Sequence, residues 1–160
     1  MVWTPDKPAG GGTATASVLL IEDNAAHAEL VTRSFEDLEV KCEIRHLSDG
    51  ESALDYLLRT GSFSSPESSP RPDLVLLDLR LPRISGLEIL EAVRQRPELN
   101  GLPVVILSTS DAEGDVAKAH DLHVNGYVVK PSDFSEFSRL MHDIGAYWLG
   151  WHHSPSPNVR

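Results

Sequence analysis

The chain contains a single cysteine, Cys42, among its 160 residues. One thiol excludes an internal disulfide and any paired-cysteine metal site. Flanked by Val40 and Ile44, Cys42 reads as a small strand or core residue. No apolar run approaches the roughly 20 residues of a membrane span. The first residues also lack the charged start and continuous apolar stretch of a secretory signal. Both absences lead us to expect a cytoplasmic protein. Basic residues are few, with 14 Lys and Arg against 24 Asp and Glu and a formal net charge of -10. That balance argues against nucleic acid as a direct partner and against docking on anionic membranes. There is no glycine-rich phosphate loop after the first apolar segment, where Asp23-Asn24-Ala25-Ala26 stands instead. Nucleotide or flavin binding in the dinucleotide-fold manner is therefore disfavoured. The seven histidines show no metal-ligand spacing, and His27, His46, His120, His123 and His142 read as isolated surface or hydrogen-bonded residues.

What is present is a regular alternation. "MVWTPDKPAGGGTATA" (1–16) reads as a flexible lead rich in Gly, Pro, Thr and Ala. "SVLLIED" reads as a strand, and a helix follows with Asn24 as its cap. "VKCEIRHLS" alternates and reads as a second strand. "DGESALDYLLRTG" reads as a helix with Asp49 at its start and Gly61 past its end. A Ser/Pro loop leads to the apolar run Leu74–Leu77, which ends on Asp78. "SGLEILEAVRQRPEL" reads as a helix, "LPVVILS" as a strand and "DAEGDVAKAHDLHV" as a weaker helix containing Gly114. "NGYVVK" reads as a short strand, and one last helix runs through "SDFSEFSRLMHDIGAYWLGW". The expected organisation is one domain over 17–149 with a polar tail over 150–160. Repeated β-α units predict a doubly wound α/β fold with a parallel sheet, flavodoxin-like, in the order 2-1-3-4-5.

In that order the carboxyl ends of neighbouring strands carry Glu22 and Asp23, Asp78, Ser108 and Thr109, and Lys130. Singly, each is an ordinary strand-end charge, cap or surface lysine. Jointly, they put three carboxylates, a hydroxyl and one ammonium at one sheet edge. Crowded carboxylates call for a compensating cation, and oxygen ligands suit Mg²⁺ or Mn²⁺. An aspartate beside such a cation can attack phosphorus to give an acyl phosphate.

The motifs "LLIEDN", "DLVLLDLRLPRISG", "PVVILSTS" and "GYVVKP" resemble those of two-component response regulator receiver domains, over about Ser17 to Trp148. The resemblance implies Glu22 and Asp23 as the acidic pair holding Mg²⁺ (or Mn²⁺), Asp78 as phosphoacceptor and the Arg80 backbone carbonyl as a further metal ligand. It implies Ser108 as switch hydroxyl, Lys130 as phosphate-binding lysine and Tyr127 as the aromatic that changes rotamer. It also implies a cis Lys130–Pro131 bond, and a signalling domain that promotes its own phosphorylation and dephosphorylation rather than an enzyme. "HAELVTRSF", "DGESALDYLLRTGSF", "LHVNGYVVKPSDF" and "IGAYWLGW" are similar to the small response regulators that partner bacterial and cyanobacterial phytochromes. A sensor histidine kinase, a phytochrome, is then the expected donor, and no output domain is expected. Tyr147, Trp148 and Trp151 read either as packing on the chain's own core or as an interface. The resemblance favours a homodimer through the face of the fourth helix, fifth strand and fifth helix. Arg80 and Thr109 depart from the small or polar residues usual at those positions, which implies an altered approach of water to the acyl phosphate. A hydrolase that forms an aspartyl phosphate would carry an acid where Arg80 stands. A degenerate receiver would lack part of the acid–Asp–Ser–Lys set.

Overall fold

The structure, a computed structural model, describes residues 15–152. Residues 1–14 of the expected lead and 153–160 of the expected tail lie outside it. The strands are β1 (Ala16–Ile21), β2 (Cys42–Leu47), β3 (Leu74–Asp78), β4 (Val104–Ser108) and β5 (Gly126–Val129). They alternate with α1 (Ala25–Glu36), α2 (Gly50–Leu58), α3 (Gly86–Arg94), α4 (Glu113–Asp121) and α5 (Phe134–Gly145). The sheet is parallel throughout, in the order β2-β1-β3-β4-β5. This is the flavodoxin-like fold expected from the alternation.

The apolar runs form the inner strands because both sheet faces are covered. Every residue of β3 and β4 is buried. Side chains alternate across the sheet, so Leu19, Ile21, Val75, Leu77 and Ile106 pack with Leu57 and Ile89 on one face. Val18, Leu20, Leu76 and Leu107 pack with Phe35, Phe137 and Met141 on the other. Edge strand β2 is only partly covered: Cys42 and Ile44 pack on one core and Leu47 on the other, with Glu43, Arg45 and His46 exposed. Half-buried Cys42 opens that strand, and burial raises its thiol above the ordinary value.

Asn24 and Asp49 start α1 and α2 as expected. The Asn24 side chain accepts from the Ala26 and His27 amides at 3.0 and 3.1 Å. Asp49 accepts from Ser52 at 2.7 Å. Ser85 and Glu88 form a reciprocal capping box at α3. Helix α4 starts at Ala112 with no side-chain cap. The left-handed residue closing α2 is Arg59 (φ 56°) rather than Gly61, and the Arg59 guanidinium reaches the Ser69 carbonyl.

The ends depart from expectation. Ala16 already belongs to β1, so the strand begins inside the expected lead. The last helix is not uniform: after Gly145 it widens into a π-helical turn, Ala146–Trp151, which carries Gly150 and Trp151 past the expected boundary at 149. A Cβ on Gly145 would meet Leu38 Cδ1 at 2.6 Å, so α5 lies hard against the end of α1. Beyond that contact the wider turn brings Trp148 and Leu149 onto the α1/α5 core, leaving Tyr147 52% and Trp151 40% exposed. Of the terminal aromatics, Trp148 thus packs on the chain's own core, while Tyr147 and Trp151 face solvent. No peptide bond among the described residues is cis, so Lys130–Pro131 takes the trans form, the lower in energy for an X–Pro bond. No helix among them is long and apolar enough to cross a membrane.

Candidate functional site

Strand register assembles the site. Ile21 pairs with Leu77, so Glu22 and Asp78 leave the sheet side by side. Asp78 pairs with Leu107 and Ser108 with Val129, which brings Ser108 and Lys130 to the same rim. Close backbone approach holds the rim on the α3 side. The Gly86 amide donates to the Leu79 carbonyl at 3.0 Å, and a Cβ on Gly86 would sit 2.3 Å from the Asp78 carbonyl oxygen. Only glycine allows α3 to begin so close beneath the Asp78 backbone.

The charged centre is nearly dry. Glu22 is 1% exposed, Asp78 6% and Lys130 8%. The Lys130 ammonium has three protons to donate. It donates to Glu22 Oε2 at 2.6 Å, to Asp78 Oδ2 at 3.1 Å and to His27 Nδ1 at 3.2 Å. Glu22 Oε1 accepts from the Asn24 amide at 3.0 Å, and Asp78 Oδ1 accepts from the Arg80 amide at 3.0 Å. The latter bond ties the backbone at Arg80, and so its carbonyl, to the rim of the site. Burial pushes the Glu22 carboxyl up to about 7, against the pull of the Lys130 hydrogen bond and with help from the Asp78 charge.

Oxygens of Glu22, Asp23 and Asp78 lie within 4.8 Å of one another. Lys130 pairs with Glu22 and Asp78, which leaves the charge of exposed Asp23 for a cation from solution. An all-oxygen donor set of this kind fits Mg²⁺ or Mn²⁺. All of the expected acids, Ser108 and Lys130 therefore meet at one edge. Ser108 is fully buried and its Oγ accepts from the Ser110 amide at 3.1 Å. Tyr127 is half-buried and its hydroxyl donates to the Ser110 carbonyl at 2.7 Å. Thr109 faces solvent.

Two histidines read as isolated belong to this site. His27, in the first turn of α1, accepts from Lys130 and packs edge-on against Phe137. Burial, then the charge of Lys130, hold its imidazole below the ordinary value. His46, on β2, donates from Nε2 to the Glu22 carbonyl at 2.7 Å and steadies the end of β1. The signal for His27 was its place in the first helical turn after an acidic strand end. His46 lies one strand away, and nothing local in the sequence links it to Glu22.

The profile of the response regulator receiver domain matches residues 18–142. The chain is 45% identical over 141 residues to the probable methanogenesis regulatory protein FilR2 of Methanothrix harundinacea, covering 88% of each chain. It is 38% identical over 132 residues to response regulator Rcp1 of Synechocystis, covering 82% of this chain and 88% of Rcp1. The crystal structure of Mn²⁺-bound Rcp1 superposes with a TM-score of 0.83 at 36% identity, over 88% of this chain and 99% of that one. The phosphorylated cyanobacterial phytochrome response regulator RcpA superposes at 0.84, also 36% identical, over 89% of this chain and all of that one (100%). The chain belongs to the response regulator receiver family, whose members act in phosphorelay signalling.

Proposed function

We propose that the chain accepts a phosphoryl group on Asp78 from the phosphohistidine of a sensor histidine kinase, and that the kinase is a phytochrome. One observation carries the first part: a carboxylate 6% exposed, with an ammonium at 3.1 Å and two further acids alongside, at the carboxyl edge of a parallel sheet. In the transfer, an Asp78 oxygen bonds to phosphorus as the donor P–N bond breaks. The bonding pair leaves with the imidazole nitrogen, which takes up a proton.

Glu22, Asp23, Asp78 and the Arg80 carbonyl would hold Mg²⁺ or Mn²⁺. The cation's contribution is to neutralise the acids and the incoming phosphoryl oxygens. Lys130 keeps a point charge at the acceptor before transfer and pairs with the phosphoryl group after it. Ser108 supplies a hydroxyl to a phosphoryl oxygen, and Tyr127 turns toward the space that Ser108 leaves. The domain thereby promotes its own phosphorylation and dephosphorylation.

The likeness to RcpA supports the phytochrome partner. The higher identity to FilR2 favours a different sensor kinase as the second reading. Exposed Val129 on β5 and Tyr147 just past α5 support a homodimer through the α4–β5–α5 face, and the acidic charge supports a domain that binds neither nucleic acid nor membrane; the domain is read as cytoplasmic.

The test is incubation with Mg²⁺ and acetyl phosphate or phosphoramidate, followed by intact mass. One added phosphoryl group, absent from Asp78→Ala, is expected. No adduct after rapid quenching would overturn the assignment. Phosphotransfer from phytochrome and non-phytochrome kinases separates the two partner readings, and sedimentation of Tyr147→Glu beside the parent tests the dimer.

A further inference from the structure

The switch pair proposed above, Ser108 and Tyr127, shares a third residue that also reaches the acceptor loop. Ser110 donates its amide to Ser108 Oγ at 3.1 Å, and its carbonyl accepts from the Tyr127 hydroxyl at 2.7 Å. Its own hydroxyl donates to Asp115 Oδ2 at 2.8 Å and accepts from the Ala112 amide at 3.3 Å. The same Asp115 oxygen accepts from Arg80 Nη2 at 3.1 Å. Arg80 is rooted at the acceptor, because its amide donates to Asp78 Oδ1. A continuous set of contacts therefore runs from Asp78 through Arg80 and Asp115 to the first turn of α4.

Helix α4 is the least anchored of the five. It has no side-chain cap, its first turn contains Gly114, and Ala119 is its one buried residue. Nothing lies within 4 Å of a Cβ built on Gly114. At its start, Ser110, Asp115 and Arg80 form a polar cluster in place of a side-chain cap. The pair that closes it is solvated, with Arg80 66% exposed and Asp115 23%. Exposed pairs of this kind hold weakly.

We propose that Arg80 is a positioning residue that reports the state of Asp78 to α4. A phosphoryl group on Asp78 adds roughly -1.5 to -2 of charge and three acceptor oxygens next to the root of the Arg80 side chain. Guanidinium pairs with phosphoryl oxygens in two-point geometry, which a single Asp115 oxygen does not match. Arg80 turns to the phosphoryl group, Asp115 loses its cation, and the first turn of α4 loosens together with the Ser110 loop. Tyr127 loses its fixed acceptor in the same event. This inference rests on Asp78 being the acceptor.

The test is hydrogen exchange of the full chain over residues 110–118, with and without Mg²⁺ and beryllofluoride, the latter a mimic of the phosphoryl group. The wild type is expected to exchange roughly two- to fivefold faster in this segment when the mimic is bound. Arg80→Ala and Asp115→Asn are expected to exchange fast already without the mimic and to respond little to it. Asp115→Glu restores the response. Uptake of the mimic, read by fluorine NMR, should persist in Asp115→Asn and Asp115→Glu and weaken in Arg80→Ala, which lacks the guanidinium that pairs with it. If Arg80→Ala and Asp115→Asn take up the mimic and respond as the wild type does, the relay is overturned while the acceptor stands. If the wild type takes up no mimic, the acceptor reading falls and the relay with it.

Discussion

Replacing Lys130 by alanine should destabilise the domain in a way that depends on pH and on divalent cation. Lys130 donates at 2.6 Å to Glu22 and at 3.1 Å to Asp78, with its side chain 3% exposed. Removing one partner of a buried pair leaves uncompensated charge and typically costs about 3–5 kcal/mol. For a domain of this size that is a fall of roughly 6–20 °C in the unfolding midpoint. The cost falls on the ionised carboxylates, so protonation should relieve it. In the cation-free protein Glu22 has a folded pKa of about 7, above its ordinary 4.5. A carboxyl raised in this way contributes stability that is complete below 4.5 and lost as pH rises through about 7. Without Lys130 the Glu22 pKa climbs further. Urea unfolding of Lys130→Ala should thus show nearly the full loss at pH 8, a smaller loss at pH 5.5, and partial recovery at pH 8 with Mg²⁺. A loss below about 1 kcal/mol, or one unchanged between the two pH values, would refute the picture of a buried ammonium holding two acids.

Three further outcomes follow from the structure. Gly86→Ala forces a Cβ to within 2.3 Å of the Asp78 carbonyl oxygen, so it should cost about 1–3 kcal/mol and slow phosphoryl uptake as well, read by urea unfolding and intact mass. Asp49 caps α2, and the Ser52 amide holds its carboxyl below the usual carboxylate range. A depressed carboxyl stabilises above its unfolded value of 3.8 and loses that contribution as pH falls through the folded value. Asp49→Ala should therefore cost about 1 kcal/mol at pH 7, with the gap narrowing below pH 3.8 in denaturant titrations. Mg²⁺ at about a hundredfold over its Kd should stabilise the wild type by roughly 2.7 kcal/mol, and the gain should shrink sharply in Asp23→Asn. An equal gain in both would remove Asp23 from the cation site.

The sheet order and the five site residues were legible because each rests on a local signal. Buried runs end on Asp78 and Ser108, an acidic pair ends the first strand, and the topology rules bring those ends together. Arg59 was hidden because a left-handed residue is expected to be glycine, and here a guanidinium bond to Ser69 accompanies an arginine in that conformation. The π-helical turn was hidden because the apolar pattern of 134–151 is compatible with one continuous helix. The contact of Gly145 with Leu38 lies outside any local window. His46 and the Arg80–Asp115 pair bridge residues far apart in sequence, 24 and 35 positions, and neither pair belongs to a spaced motif.

The most direct test of the central claim is the chemical identity of the phosphorylated residue. The protein is charged by a histidine kinase or acetyl phosphate with Mg²⁺, reduced with borohydride and mapped by peptide mass spectrometry. An acyl phosphate is reduced to the alcohol, so homoserine is expected at position 78 and at no other aspartate, with none after mock charging. Homoserine at Asp23 or elsewhere, or a stable phosphoryl group on a hydroxyl or imidazole with Asp78 intact, would contradict the account.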